Sequence, residues 1–192
     1  HSQQSQILVP LDAPGIEVVR MLPVFGFDDA PHGHAEVLMK DVRVPADHVV
    51  GELNGGWAIT QGSLAHERAM LWIGNATNLQ RSVVALLELG ERPGPDGRPL
   101  NEDPAFRDDV ARLHIDAQAA TLIGYRGFAL AADGKPAPEH GILKAFTSEA
   151  ERELDLIAVE ALGPDGIDQA IPGRPVVREG SWADQYLRAF SG

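Results

Sequence analysis

Apolar residues recur at three- and four-residue spacing through an Ala-, Leu- and Val-rich stretch from Trp57 to Leu89, and Gly90 supplies a stop. The run Glu91-Arg-Pro-Gly-Pro-Asp-Gly-Arg-Pro cannot hold regular structure and reads as an exposed connection. Asp103-Pro104 is an N-cap followed by proline at the first helical position, and helical spacing continues to about Asp133, where Asp-Gly-Lys-Pro ends it. A third helix is expected from Pro138 to Leu162, stopped by Gly163-Pro164, and a short fourth after Ser181. Residues 6–50 differ in character. Ile7-Leu8-Val9, Ile16–Val19 and Ala35–Met39 are short β-favouring runs between Pro and Gly, and Val42 and Val44 alternate around Arg43 before Pro45. The pattern therefore predicts a β segment followed by an antiparallel helical bundle.

Composition narrows the function. With 16 basic against 28 acidic residues the net charge is −12, and there is no basic face for nucleic acid or for anionic lipid. No run approaches the length of a membrane span. A 44% hydrophobic content is enough for a sizeable core. The absence of cysteine excludes disulfides, thiolate metal sites and cysteine nucleophiles, and fits a cytoplasmic location.

One carboxylate stands out. Glu67 follows Leu64 by three residues and precedes Leu71 by four, so helical spacing puts it on the row expected to face the core. Burial disfavours a carboxylate's charged form unless it is paired or used, and a general base working near neutral pH has that requirement. Pairing with Arg68 or another base at a helix seam is the structural alternative.

The residues around Glu67 carry a family resemblance. Asp41-Val-Arg-Val-Pro, then Gly51-Glu-Leu-Asn-Gly-Gly-Trp57, then Ser63-Leu-Ala-His-Glu-Arg68 resemble acyl-CoA dehydrogenases, in which a β-domain ends at such a turn and a long helix opens a four-helix domain. Ile7–Ile16, Ala158–Gly166 and Trp182–Arg188 resemble further family segments in the same order. The implied fold is α+β, predominantly α: a partial β-barrel or sandwich segment over 1–53, then a truncated antiparallel four-helix bundle over 54–192. Relatives are about twice as long, so the chain is expected to be the C-terminal half of a longer enzyme.

The resemblance also implies chemistry. Glu67 takes the position where a subset of the family carries its catalytic base, with Arg68 supporting it; other members place the base beyond the segment matched here. The reaction would be α,β-desaturation of an acyl-CoA thioester in fatty acid metabolism. FAD would accept the hydride and an electron-transfer flavoprotein the electrons. The enolate would be stabilised by hydrogen bonds from the flavin ribityl hydroxyl and a backbone N–H. Arg92 stands where relatives have an arginine reaching the neighbouring subunit's FAD pyrophosphate, with Arg98 as rival because Asp96 replaces the expected Phe. Glu160 stands where relatives carry a glutamine that contacts the partner's FAD, followed by Gly163 and Gly166. A carboxylate there would repel flavin phosphates. The family implies a homodimer or homotetramer.

Other clusters carry less. His32 and His34 are spaced to share a strand face, but Pro31 and Gly33 suggest a loop and no third ligand is evident, so no metal is expected. His66, beside Glu67, points about 100° away from it. His114 is expected at a seam or on the surface, and His140 on the surface. Two rivals remain. One is a flavin-dependent oxidase or monooxygenase of the same fold. The other is a non-catalytic helical dimerisation subunit that has lost flavin binding.

Overall fold

In a computed structural model, residues 3–23, 33–167 and 181–190 are described. They form two compact units, 1–66 and 67–192, each taken by itself below.

The first unit holds β1 (Gln6–Ile7), β2 (Ile16–Met21), β3 (Ala35–Met39) and β4 (Val49–Val50), and the start of helix α1 (Gly56–Leu89). β1 pairs antiparallel with β4, and β2 with β3, where a bulge between Val18 and Arg20 shifts the register. Among the described residues these pairs do not close a barrel. The strand expected over Ile7–Val9 is shorter and begins at Gln6. Val42–Val44 forms none, because Pro45 removes a ladder donor and the following turn redirects the chain. Val49–Val50 pairs instead, a two-residue strand too short to show a period. Arg20 donates to Glu36 across β2–β3 at 2.8 Å.

The turn before α1 has a clear physical basis. Gly51 and Asn54 have φ of 70° and 66°, the left-handed region. A Cβ on Gly56 would lie 2.9 Å from the Gln6 nitrogen and from Ser5, so only glycine lets the helix start against the β1 backbone. The Gly56 N–H donates to the Gln4 carbonyl, and Gln6 Nε2 donates to Thr60 Oγ1 at 2.6 Å.

The second unit holds the rest of α1, then α2 (Pro104–Ala132), α3 (Glu139–Leu162) and α4 (Trp182–Arg188). Asp103 caps α2 by accepting from the Ala105 N–H at 2.9 Å, with Pro104 opening the helix as the sequence predicts. Ser181 and Asp184 form a reciprocal capping box on α4. Gly163, at φ 59°, ends α3 and leads into a 3-10 turn over Gly163–Ile167.

The core is the seam of these helices. On α1, Trp72, Ala76, Leu79, Val83 and Leu86 are buried, and on α2 Phe106, Val110, Leu113, Ala117 and Ala120. On α3, Leu143, Ala150, Leu154 and Ala158 close the same core. Each buried leucine contributes about 1.5–3 kcal/mol relative to exposure. Antiparallel order shows in cross-helix pairs. Gln80 donates to Thr121 between α1 and α2, while Arg112 to Glu153 and Arg126 to Glu139 link α2 to α3.

Two expectations are corrected here. Glu67 does not lie on the core row: it is exposed, as are Leu64 and Leu71, and the buried row runs through Trp72, Ala76 and Leu79. His140 is not a surface histidine but is 4% exposed. Its ring stacks on Trp72 at 6.2 Å with planes 7° apart, and Gly127 makes room for it, since a Cβ there would sit 2.7 Å from His140 Nε2.

Candidate functional site

The residues singled out by sequence fall into two groups at opposite ends of the second unit. Glu67 is at one end, exposed on α1. Arg92, Glu160, Gly163 and Gly166 are at the other, where α1 and α3 both finish. At 1.5 Å per helical residue, Glu67 and Arg92 are roughly 35 Å apart along α1. They cannot touch the same phosphate group or the same flavin ring. The Arg68 side chain lies outside the described structure.

The far end is built from two segments distant in sequence. After α1 the chain makes a tight reversal: Gly94 N–H donates to the Arg98 carbonyl, Gly97 N–H to Gly94, and Leu100 N–H to the Arg92 carbonyl. Pro93 and Pro99 bridge antiparallel across it. The turn after α3 abuts this loop, because a Cβ on Gly163 would lie 3.0 Å from Pro95 Cγ. A Cβ on Gly166 would collide with the Val159 carbonyl oxygen, so the turn folds back on its own helix only as glycine. This explains both glycines by backbone geometry.

Charge separates the two candidate arginines. Asp96 Oδ1 accepts from the Arg98 backbone N–H at 3.0 Å and Oδ2 from Arg98 Nε at 2.8 Å. The backbone hydrogen bond, then the side-chain one, holds the Asp96 carboxyl below the usual aspartate range, and the carboxylate raises Arg98 in return. Arg98 is thus occupied within its own turn. Arg92 is exposed and has no ion pair among the described residues. Glu160 is exposed on the last turn of α3, and Asp165 is exposed in the turn beyond it.

At this end the exposed groups are one guanidinium without an ion pair among the described residues, Arg92, and two carboxylates, Glu160 and Asp165, beside a glycine turn closed on its own helix and on Pro95. Arg92 is the group among these that could take a phosphate of a dinucleotide edge, and the described residues here do not enclose one.

Near Glu67 the structure adds residues to which sequence reading assigned no role. Trp72 meets Tyr125 edge-on at 5.3 Å, with His140 stacked behind it. Trp72 Nε1 and His140 Nε2 are buried without a hydrogen-bond partner among the described residues. The sequence signal was available: Gly124 and Gly127, three apart inside a helix, mark the close approach of a large side chain. His66 is exposed, and His114 is exposed on α2. Of the acidic and histidine cluster Asp28-Asp29-Ala-Pro-His32-Gly-His34, residues Asp28, Asp29 and His32 lie outside the described residues, and among those described no group of three His, Cys, Asp or Glu is placed to hold a metal. Nor is any helix among the described residues long and apolar enough to cross a membrane.

Residues 54–190 match the model of the acyl-CoA dehydrogenase C-terminal domain. The probable acyl-CoA dehydrogenase FadE2 of Mycobacterium tuberculosis is 31% identical over 196 residues, covering 100% of this chain and 47% of that protein. Acyl-CoA dehydrogenase family member 10 of Mus musculus is 32% identical over 178 residues, covering 90% of this chain and 16% of that protein. The chain thus spans about half the length, or less, of these two relatives. Among solved structures, a putative acyl-CoA dehydrogenase from Mycobacterium abscessus superposes with a TM-score of 0.75 at 27% identity, over 97% of this chain and 44% of that one. Butyryl-CoA dehydrogenase from Megasphaera elsdenii gives a TM-score of 0.75 at 18% identity, over 97% of this chain and 46% of that one, and so shows the fold alone.

Proposed function

Because the chain belongs to the acyl-CoA dehydrogenase family, we propose that the protein desaturates an acyl-CoA between its α and β carbons, with Glu67 as the base. Glu67 takes the α-proton onto a carboxylate oxygen while the β-hydrogen leaves with its electron pair and the α,β double bond forms. Bound FAD supplies the hydride acceptor. The exposed position of Glu67 suits this role, since a base must be reachable by its substrate. The acceptor of the electrons would be an electron-transfer flavoprotein, and the acyl chain that of a fatty acid.

The observation that carries the reading is the separation of the two groups. Glu67 at one end of α1 and Arg92 roughly 35 Å away would suit, as base and as phosphate contact, a site shared between copies. Glu67 would serve the chain's own flavin, and Arg92 with the Gly163–Gly166 turn the flavin of a neighbour. This requires a homodimer or homotetramer. Arg92 would hold the phosphates as a charge-assisted donor, with Arg68 supporting Glu67. Glu160, where a neutral donor would serve better, would face solvent.

The test is anaerobic addition of a panel of acyl-CoAs to the protein, expressed from its native gene and purified with FAD. Loss of flavin absorbance with at least one acyl-CoA supports the reading. Retained FAD that no acyl-CoA reduces, with rapid oxygen consumption on another substrate, would favour the oxidase or monooxygenase of the same fold. The carboxylates Glu160 and Asp165 beside the proposed phosphate contact favour a second reading, a non-catalytic dimerisation subunit. Failure to retain FAD would support that one.

A further inference from the structure

Glu67 shares its face of α1 with residues that change character along the helix. At about 100° per residue, Gly74 falls about 20° short of two turns from Glu67 and Asn78 about 20° past three, so both stand almost in line with it. Met70 and Leu71, one turn on, flank the same line. All four are exposed, and the buried row of Trp72, Ala76 and Leu79 lies more than about 100° round the helix from Glu67. After Glu67 the line is apolar through Met70 and Leu71. It is empty at Gly74, where a Cβ would meet nothing within 4 Å, and polar at Asn78 and Arg81. Before Glu67 it is mixed, with Thr60, Ser63 and Leu64.

A thioester carries a polar coenzyme on one side of its α-carbon and a hydrocarbon tail on the other. With the α-carbon over Glu67, the tail gains by lying over Met70 and Leu71, since each methylene removed from water is worth about four-fold in affinity. It gains nothing at Asn78, because a covered carboxamide must keep a hydrogen-bond partner and a methylene supplies none. The helical rise turns this pattern into a length. Gly74 is about 10.5 Å beyond Glu67 along the axis, and Asn78 about 16.5 Å. An extended covalent chain advances about 1.2 Å per bond, since three backbone bonds span roughly 3.3–3.6 Å. Nine bonds from the α-carbon, about carbon 11 of an acyl group stands over Gly74; fourteen bonds on, about carbon 16 stands over Asn78.

We propose that this line sets the length of the acyl group, and that the preferred substrates are straight-chain acyl-CoAs of about twelve to fourteen carbons. Gly74 is the position that admits them, because the missing side chain leaves a passage between Leu71 and Asn78. Asn78 ends the apolar track, with Arg81 a turn further on. Shorter acyl groups leave the passage unfilled and forgo the contact. Longer ones must set methylenes against the carboxamide.

The inference rests on the desaturation proposed above, with Glu67 as its base, and its test separates the two. Rates of anaerobic flavin reduction at sub-saturating substrate are measured for saturated acyl-CoAs of about 4 to 20 carbons, with wild type, Gly74→Leu and Asn78→Leu, each loaded with FAD. Circular dichroism and FAD content check that each variant is folded. The wild-type profile should peak at dodecanoyl- to tetradecanoyl-CoA. Gly74→Leu should move the peak to shorter chains, lowering the rate with tetradecanoyl-CoA relative to octanoyl-CoA at least about ten-fold. Asn78→Leu should move it to longer chains, raising the rate with hexadecanoyl-CoA relative to dodecanoyl-CoA about ten-fold. A wild-type peak at six carbons or fewer, or a profile that neither variant moves, would overturn this track and leave the desaturation standing. FAD that is not retained, or that no acyl-CoA reduces, would overturn both.

Discussion

Replacing Gly124 by alanine should destabilise the second unit, although helix propensity alone predicts the reverse. Inside a helix, Gly to Ala is worth about 0.5–1 kcal/mol in favour of the folded state. At Gly124 the added methyl would overlap the six-membered ring of Trp72, which packs directly on the α2 backbone. Carbon atoms prefer about 3.5–4.0 Å, so the ring would have to withdraw by about 1 Å or more. Trp72 is 5% exposed, with Tyr125 on its edge and His140 stacked on its face, so the ring can withdraw only by giving up these contacts. Overpacking of this kind costs about 1–3 kcal/mol, which outweighs the propensity gain. Gly74 is the internal control. It is exposed on α1, and a Cβ there meets nothing within 4 Å, so Gly74→Ala should gain the full propensity term. Urea unfolding followed by circular dichroism should therefore move the two midpoints in opposite directions. In thermal unfolding the difference should be several degrees, at about 2–4 °C per kcal/mol. If Gly124→Ala stabilised as much as Gly74→Ala, the Trp72 packing described here would be wrong.

Two further outcomes follow from the loop between α1 and α2. Arg92→Gln should lower FAD retention about ten-fold or more, because it removes a charge-assisted phosphate contact, whereas Arg98→Gln should change it little; fluorimetric titration of the apoprotein separates the two. The Asp96 carboxyl, followed by NMR, should titrate below the usual aspartate range and move up in Arg98→Ala. The sign is that of a depressed carboxylate: its small contribution to loop order is complete above the unfolded value and is lost as pH falls through the folded one.

Much of the helical architecture was legible because it is punctuated. Asp103-Pro104, Asp133-Gly134 and Gly163-Pro164 stop or start helices by capping and by backbone restriction, effects that act within a few residues. The face of α1 was not legible near its start. Apolar residues occur on several of its rows, so Leu64 and Leu71 implied a core row that the fold does not use, and the buried row begins at Trp72. That choice is made by α2 and α3, through Gly124 and His140, and spacing within α1 does not contain it. The candidate cofactor edge was half legible. Arg92 and the Gly163–Gly166 turn could be found separately, but their meeting through Pro95 is a tertiary fact. The pairing that distinguishes Arg98 from Arg92 depends on a two-residue turn geometry that composition does not specify.

The proposed desaturation depends on Glu67 removing the α-proton. Its most direct test is a rapid-mixing comparison of wild type and Glu67→Gln, both loaded with FAD, under anaerobic conditions with the most reactive acyl-CoA. The variant should bind acyl-CoA with similar affinity but bleach its flavin slower by about 10²–10⁴-fold, the usual worth of a positioned base. Equal bleaching rates would show that the base lies elsewhere.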